Sequence, residues 1–381
     1  MSPVPKTSPG NFFEDFQLGQ QIRHATPRTV TVGDVALYNG LFGARFAVQS
    51  SDAFAQKIGY PRSPLDDVLV FHIVFGKTVP DISLNAVANL GYADCRFLKP
   101  VYPGSTLTAV SEVIGLRENS NKKTGIVYVR SCGFDEAGDT VLDYVRWVMV
   151  RKRDESAPAP GEKVPELPKH VEATKLGGAC PKINGAAYDN ILAGSPYRFG
   201  DYRASEKIDH VDGVTVEEAE HQIATRLYQN TARIHFNQFT ESKGRFGRRL
   251  IYGGHAISLA RALSFNGLAN AFQVAAINGG RHVAPLFAGC TVFAWSEVLA
   301  CAEVPGRKDV GALRVRTIAT KDRPCADFPF KSGDDYDPAV ILDLDYWVLL
   351  PRLAASCPAR GAFTHLRAND RRVVAHKAAG H

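Results

Sequence analysis

"CRFLKPVYPGSTLTAVSEV" (Cys95–Val113) and "GRHVAPLFAGCTVFAWSEV" (Gly280–Val298) are one stretch written twice. Pairing Arg96 with Arg281 sets an offset of 185, which also pairs Pro100 with Pro285, Gly104 with Gly289, Thr106 with Thr291, and Ser-Glu-Val at 111–113 with Ser-Glu-Val at 296–298. Near the start of each half the offset is 186 and matches Asp15, Phe16 and Ile22 to Asp201, Tyr202 and Ile208. Later "LDYVRWVMVRKR" (Leu142–Arg153) answers "LDLDYWVLLPR" (Leu342–Arg352), with Trp147 opposite Trp347 at an offset of 200. The added residues fall in the polar "KDRPCADFPFKSGDDYDP" (Lys321–Pro338), which reads as a long surface loop. Such a run of identities marks a duplicated domain.

At 381 residues the chain has room for two domains, each able to bury a core of its own. The proline-rich "SAPAPGEKVPELPK" (Ser156–Lys169) reads as a linker between them. The expected division is a first half at 1–155, a linker at 156–184, a second half at 185–352 and a mobile basic tail at 353–381. Within the first half, the strand-like "ANLGYADCRFL", "STLTAVSEVIGLRE", "KTGIVYVRSCGFD" and "TVLDYVRWVMVRK" follow an apolar helix expected from about Leu65 to Val79. Alternation in "GIVYVRSCGF" and "LDYVRWVMVR" points to antiparallel strands with one buried face, which the helix covers. The fold class is therefore α+β, an antiparallel sheet around a long helix, twice.

Hydrophobic residues at 45% and charged residues at 22% indicate a soluble globular chain. The longest apolar run, "DVLVFHIVFG" (Asp67–Gly76), is too short to span a bilayer, and the first residues lack a signal-peptide core, so no membrane role and a cytoplasmic location are expected. Seven scattered cysteines without a CxxC pair fit reduced thiols and no metal site. The net charge is +6, but no basic helix with interleaved aromatics suggests nucleic acid. A mildly basic chain is compatible with an anionic small molecule.

The stretch with most chemical content is "LYQNTARIHFNQ" (Leu227–Gln238), which sets Asn230 five residues before His235. After it comes "LIYGGHAISLARAL" (Leu250–Leu263), a Gly-Gly turn into a helix; no GxGxxG or Walker pattern surrounds it, so it is not a phosphate loop. By themselves these residues have plain readings: a structural histidine near a helix start, an Asn N-cap, and a glycine that lets two elements pack closely. Arg233, Arg245, Arg248 and Arg249 could be solvated surface charges or forked partners for phosphate or carboxylate. Arg45 and Arg62 of the first half could contribute in the same way, and His72 and His255 read as structural.

Together these stretches resemble a known family. Openings like "FFEDFQLGQQI…RTVTVGD" and strand entries like "RFLKPVYPGSTL" are similar to the MaoC-like enoyl-CoA hydratases, over roughly 11–153 and again over 198–352. The resemblance implies a double hotdog fold. Within that family "LYQNTARIHFN" and "YNGLFGARFAVQSSDAFAQKIGYPRSPLDD" resemble the mesaconyl-CoA hydratases. It implies reversible hydration of a branched, carboxylated enoyl-CoA, mesaconyl-CoA giving β-methylmalyl-CoA, in C5 acyl-CoA metabolism such as glyoxylate assimilation by the ethylmalonyl-CoA route. No cofactor is implied beyond the CoA of the substrate, and a homodimer is expected.

The resemblance also places residues. His235 takes the family's catalytic histidine, Asn230 the position of its aspartate, and Gly253 that of the glycine whose amide forms an oxyanion hole, with Tyr252 replacing the usual histidine. Arg233, Arg248, Arg249 and Tyr252 are the implied substrate contacts. In the first half the corresponding positions are Ala44, Gln49 and Asp67, so that half is expected to be catalytically degenerate and to shape the tunnel. Asn230 cannot carry a proton at neutral pH, which leaves His235, titrating near its ordinary 6.5, to act alone or with a carboxylate such as Glu241, Asp66 or Asp67. Hydrolysis of the thioester, or acyl-CoA binding without turnover, are the rival functions.

Overall fold

The computed structural model of the protein describes residues 6–352. The basic tail assigned to 353–381 lies outside the described residues, as does Cys357. The first half comprises β1 (Gln21–Arg23), helix α1 (Val32–Phe42), helix α2 (Asp67–Thr78), and strands β2 (Ala86–Phe97), β3 (Thr106–Glu118), β4 (Thr124–Phe134) and β5 (Thr140–Arg151). The second repeats the plan with β6 (Lys207–Thr215), α3 (Glu218–Leu227), α4 (Gly253–Leu263), β7 (Gln273–His282), β8 (Thr291–Glu303), β9 (Val310–Lys321) and β10 (Val340–Pro351). These strands form one antiparallel sheet in the order β1-β3-β4-β5-β2-β7-β10-β9-β8-β6. Each half has its helix packed on its own strands, which is the double hotdog arrangement.

The expected helix is present, and its ends follow from local chemistry. The Asp66 carboxylate caps α2 by accepting the Val68 amide at 2.8 Å, and Pro80 lies in the π-turn that follows Thr78. All twelve residues of α2 are buried, His72 and Lys77 included. A helix apolar on every side is enclosed on every side; here α4 and the α3–α4 connection cover what the sheet does not.

A pseudo-twofold axis relates the halves. His72 Nε2 lies 3.0 Å from Ser258 Oγ, and these residues are each other's counterparts at the offset of 186. In the central pairing of β2 with β7, Ala93 stands opposite Gly279, again its own counterpart. The duplication thus folds into one body. Contrary to the expectation of two cores, Phe71 and Phe75 of α2 share one hydrophobic cluster with Ile257 and Leu259 of α4.

Two further expectations change. The linker is largely exposed as far as His170, but Val171, Leu176, Cys180 and Ile183 are buried against Phe54, Phe272 and Trp347, and the Trp347 indole donates to the Val171 carbonyl at 2.9 Å. The "surface loop" at 321–338 folds over Trp295, whose indole donates to the Pro329 carbonyl at 2.9 Å, with Phe328 and Phe330 edge-on to its ring. In both stretches a polar, proline-rich frame hides a few apolar anchors.

Candidate active site

The chain leaves α3 through Gln229, whose φ is +54°. The turn is seated on the first half: a Cβ added at Gly76 of α2 would come within 1.9 Å of the Tyr228 carbonyl oxygen and 3.3 Å of the Asn230 amide nitrogen. Only a glycine permits this approach. Lys77 Nζ adds a 3.4 Å contact to Gln229 Oε1. Asn230 is buried, its backbone amide donating to the Thr225 carbonyl at 2.9 Å and its Oδ1 accepting the Ala232 amide at 3.0 Å. Asn230 thus closes an Asx turn ahead of the 3-10 helix, whose N-cap is Ala232, and is not itself the N-cap that the plain reading expected; its Nδ2 amide is left over as a donor.

His235 closes a 3-10 turn, Arg233–His235, and is held against the strand-like approach to α4. The Leu250 amide donates to the Ile234 carbonyl at 3.0 Å, and the Leu250 carbonyl lies 2.8 Å from His235 Nδ1. A carbonyl can only accept, so Nδ1 carries the proton and Nε2 presents its lone pair. Burial pushes the imidazole down to about 4, opposed by the bond to Leu250. The ring is thus neutral at pH 7 and does not titrate near neutrality as expected from sequence. An edge of it stays accessible.

Gly253 is the first residue of α4, where a backbone amide has no acceptor in its own helix. The preceding Tyr252 amide is occupied, donating to His221 Nε2 at 2.8 Å. Tyr252 itself is buried, its ring centroid 5.4 Å from that of His235 and its hydroxyl 3.4 Å from His72 Nδ1. It backs the histidine from inside the core. His72 and His255 sit among these rings, each held neutral by burial at about 3.

Sequence reasoning missed His282, at the end of β7. Its ring lies on Gly253, where an added Cβ would fall 2.4 Å from Cε1 and 2.6 Å from each ring nitrogen, and its Nε2 is 3.1 Å from the Tyr92 hydroxyl. Gly253 is therefore required for close packing as well as poised to donate. His235, Gly253 and His282 each keep part of their surface accessible, whereas Tyr92, His221, Tyr228 and Tyr252 around them are buried. The signal was available: at the offset of 185 the first half has the buried Phe97 where the second has His282.

The arginines divide. Arg249 is paired with Glu218 of α3, and Arg248 donates to the Ala288 carbonyl at 2.8 Å beside the Phe287 ring. Arg245 lies over Phe246 and Arg45 over Phe265, and Arg62 donates to the Pro103 carbonyl. Arg233 is exposed and makes no ion pair among the described residues. Among the described residues no carboxylate joins His235: Asp66 caps α2, Asp67 accepts from the Val274 amide at 3.0 Å, and Glu241 lies in the short helix Gln238–Glu241 beside Gly244.

Asp67 fills the first half's counterpart of the Gly253 position. Burial, and then the neighbouring Asp66, raise its carboxyl to about 8. The native protein then holds a proton between about pH 4 and 8 that the unfolded chain, near its ordinary value, has released. Stability is full below that window and falls as pH rises through it, by up to about 1.4 kcal/mol per unit. Asp67→Asn is expected to remove this slope, so that its melting temperature exceeds that of the unmodified protein by a margin growing from pH 5 to pH 8. Parallel melting curves across that range would contradict it.

A family model described as mesaconyl-CoA hydratase matches residues 4–334. The β-methylmalyl-CoA dehydratase of Chloroflexus aurantiacus is 64% identical over 91% of this chain and 99% of its own length. A mesaconyl-CoA hydratase of Cereibacter sphaeroides is 59% identical over 91% of this chain and all of its own length. The crystal structure of a MaoC domain protein dehydratase from Chloroflexus aurantiacus superposes with a TM-score of 0.90 at 64% identity, covering 92% of this chain and 100% of that one. With likeness running through both halves, the chain belongs to the mesaconyl-CoA hydratase family.

Proposed function

We propose that the protein is a hydro-lyase that reversibly adds water to mesaconyl-CoA, giving β-methylmalyl-CoA. The names of its relatives describe the two directions of that one equilibrium. The observation that carries the residue-level reading is His235: a neutral imidazole with its Nδ1 proton tied to Leu250, leaving Nε2 as the base, packed against Tyr252, the residue that precedes α4. In this reading Nε2 takes a proton from water as the oxygen bonds to C3. The C2–C3 π electrons move to give an enolate, the Gly253 amide and the α4 dipole stabilise the charge on the thioester oxygen, and the proton is returned to C2. Asn230 holds the turn and offers Nδ2 to the water. Arg233, exposed and without an ion pair among the described residues, meets a phosphate of CoA or the acyl carboxylate in this reading; Arg248 and Arg249 are further candidates for the substrate's charges, while the buried Tyr252 acts through His235 rather than by touching substrate.

CoA enters as part of the substrate, and no other cofactor belongs to this scheme. A homodimer and a cytoplasmic location are carried with the proposal. Among the described residues no helix is long and apolar enough to cross a membrane.

The deciding assay follows the ultraviolet absorbance of mesaconyl-CoA with free CoA measured in the same sample. Loss of conjugation without free CoA is the expected result. Released CoA would make the protein a thioesterase, and no change with several enoyl-CoAs would make it a binding module.

The pH profile is a second expected result. A base held near 4 in the free enzyme is deprotonated throughout the neutral range, so kcat/KM is expected to stay level from pH 8 down to about pH 5.5 and fall only at lower pH. A half-loss near pH 6.5 would mean an imidazole of ordinary basicity, contrary to the buried site.

A further inference from the structure

We propose that His282 is a second functional side chain of this site, a neutral imidazole whose Nδ1–H donates to the thioester oxygen beside the Gly253 amide, with Tyr92 setting its tautomer. This rests on the reading of His235 and Gly253 given above. The need for such a group is set by Asn230, since the family's aspartate is missing and no carboxylate among the described residues replaces it at His235.

The tautomer follows from the partners. The buried Tyr92 hydroxyl has His282 Nε2, at 3.1 Å, as its hydrogen-bond partner. A phenol can donate or accept, but this buried hydroxyl has no other acceptor for its proton among the described residues, so its donor is satisfied by giving the proton to Nε2, which makes that nitrogen the acceptor. A neutral ring then carries its own proton on Nδ1. Burial, and next the proximity of His235, push His282 down to about 4, which keeps the ring neutral at pH 7.

The position follows from packing. The ring meets Gly253 through Cε1, with Nδ1 and Nε2 equally close on either side; Nε2 is taken by Tyr92, which leaves the Nδ1–H for the accessible corner that the ring shares with the first residue of α4. A neutral imidazole is well suited there: it polarises an oxygen without donating its proton outright, so the charge stays on the enolate until C2 is protonated. Tyr92 comes from β2 and His282 from β7, neighbours in the central strand pair. The first half thus supplies a residue that acts through His282; Tyr92 is a positioning residue.

The pseudo-symmetry gives an internal control. Every functional position of the second half is altered in the first: Ala44 for Asn230, Gln49 for His235, Asp67 for Gly253 and Phe97 for His282. A histidine needed only to pack would have no reason to be lost with the other three.

The test is steady-state hydration of mesaconyl-CoA by His282→Ala, His282→Asn and Tyr92→Phe, with melting temperature followed alongside. His282→Ala is expected to lose about a hundredfold or more in kcat, the usual cost of one such donor, with KM within about threefold. His282→Asn, which keeps an N–H near the Nδ1 position, is expected to recover at least tenfold of that loss, and Tyr92→Phe to fall between. The unmodified enzyme reports separately on the underlying reading, since absence of hydration there would overturn it before any variant is compared. A kcat for His282→Ala within threefold of normal, or equal loss in the Ala and Asn variants, overturns the role of His282. If the alanine variant does not fold, the Asn and Tyr92→Phe pair decides: a kcat for His282→Asn within about tenfold of normal, with that of Tyr92→Phe lower still, supports the role, and any other pattern overturns it.

Discussion

His235→Asn is expected to lower kcat for hydration of mesaconyl-CoA by about a thousandfold, within the ~10²–10⁴ that a positioned general base contributes. Asparagine is the informative replacement because its amide can still donate to the Leu250 carbonyl, which His235 Nδ1 now holds at 2.8 Å. The Arg233–His235 turn and the paired Leu250 strand are then kept, and only the basic nitrogen is lost. His235→Ala removes both. It leaves a carbonyl unpaired at a cost of about 1–3 kcal/mol, so it is expected to be as inactive as the asparagine variant and less stable by that margin. Melting temperatures and kcat measured together separate the two effects. Retention of a tenth or more of the activity by His235→Asn would remove His235 from the base's role and leave Asn230 or a bound water to be examined.

What the sequence made legible, and what it did not, follows from the range of the interactions involved. Antiparallel strands, the helix at Asp67–Thr78 and the duplication are written in periodicity and in the recurrence of residues, which a linear reading can count. His235, Asn230 and Gly253 could be placed because a local motif spans them. The Tyr92–His282 contact joins residues 190 apart, and neither has a local signature. The packed part of the linker was misread for a related reason: Val171 and Ile183 are single apolar residues in polar company, and only the partners Trp347 and Phe272 show that they are anchors. His235 could be singled out from the sequence, but its basicity could not be read there, since burial rather than residue type sets it.

One long-range feature did leave a local trace. A glycine inside a helix costs about 1 kcal/mol relative to alanine, so the glycine in "FHIVFGKT", which the reading of the sequence passed over, is the local trace of a close approach from elsewhere. The structure identifies the visitor as the Tyr228–Asn230 turn. The first half is therefore tied to the proposed site, because its helix supplies the seat on which the Tyr228–Asn230 turn of the second half rests.

Gly76→Ala is accordingly expected to impair catalysis without touching any group that handles substrate. Helix propensity favours the alanine by about 1 kcal/mol. Against this, the new methyl would fall 1.9 Å from the Tyr228 carbonyl oxygen, backbone that has no rotamer with which to move aside. Overpacking of this kind costs about 1–3 kcal/mol, so the clash outweighs the propensity and the turn must lift by the order of 1 Å. Displacement on that scale costs about a hundredfold in rate when it moves a reacting group, and Asn230 and His235 lie two and seven residues along from Tyr228. Gly40→Ala is the matched comparison. It lies inside α1, where an added Cβ meets nothing within 4 Å, and it should gain a few tenths to 1 kcal/mol and keep full activity. Equal kcat in the two variants would show that the turn does not depend on its seat in the first half, and the retention of that helix would then need another explanation.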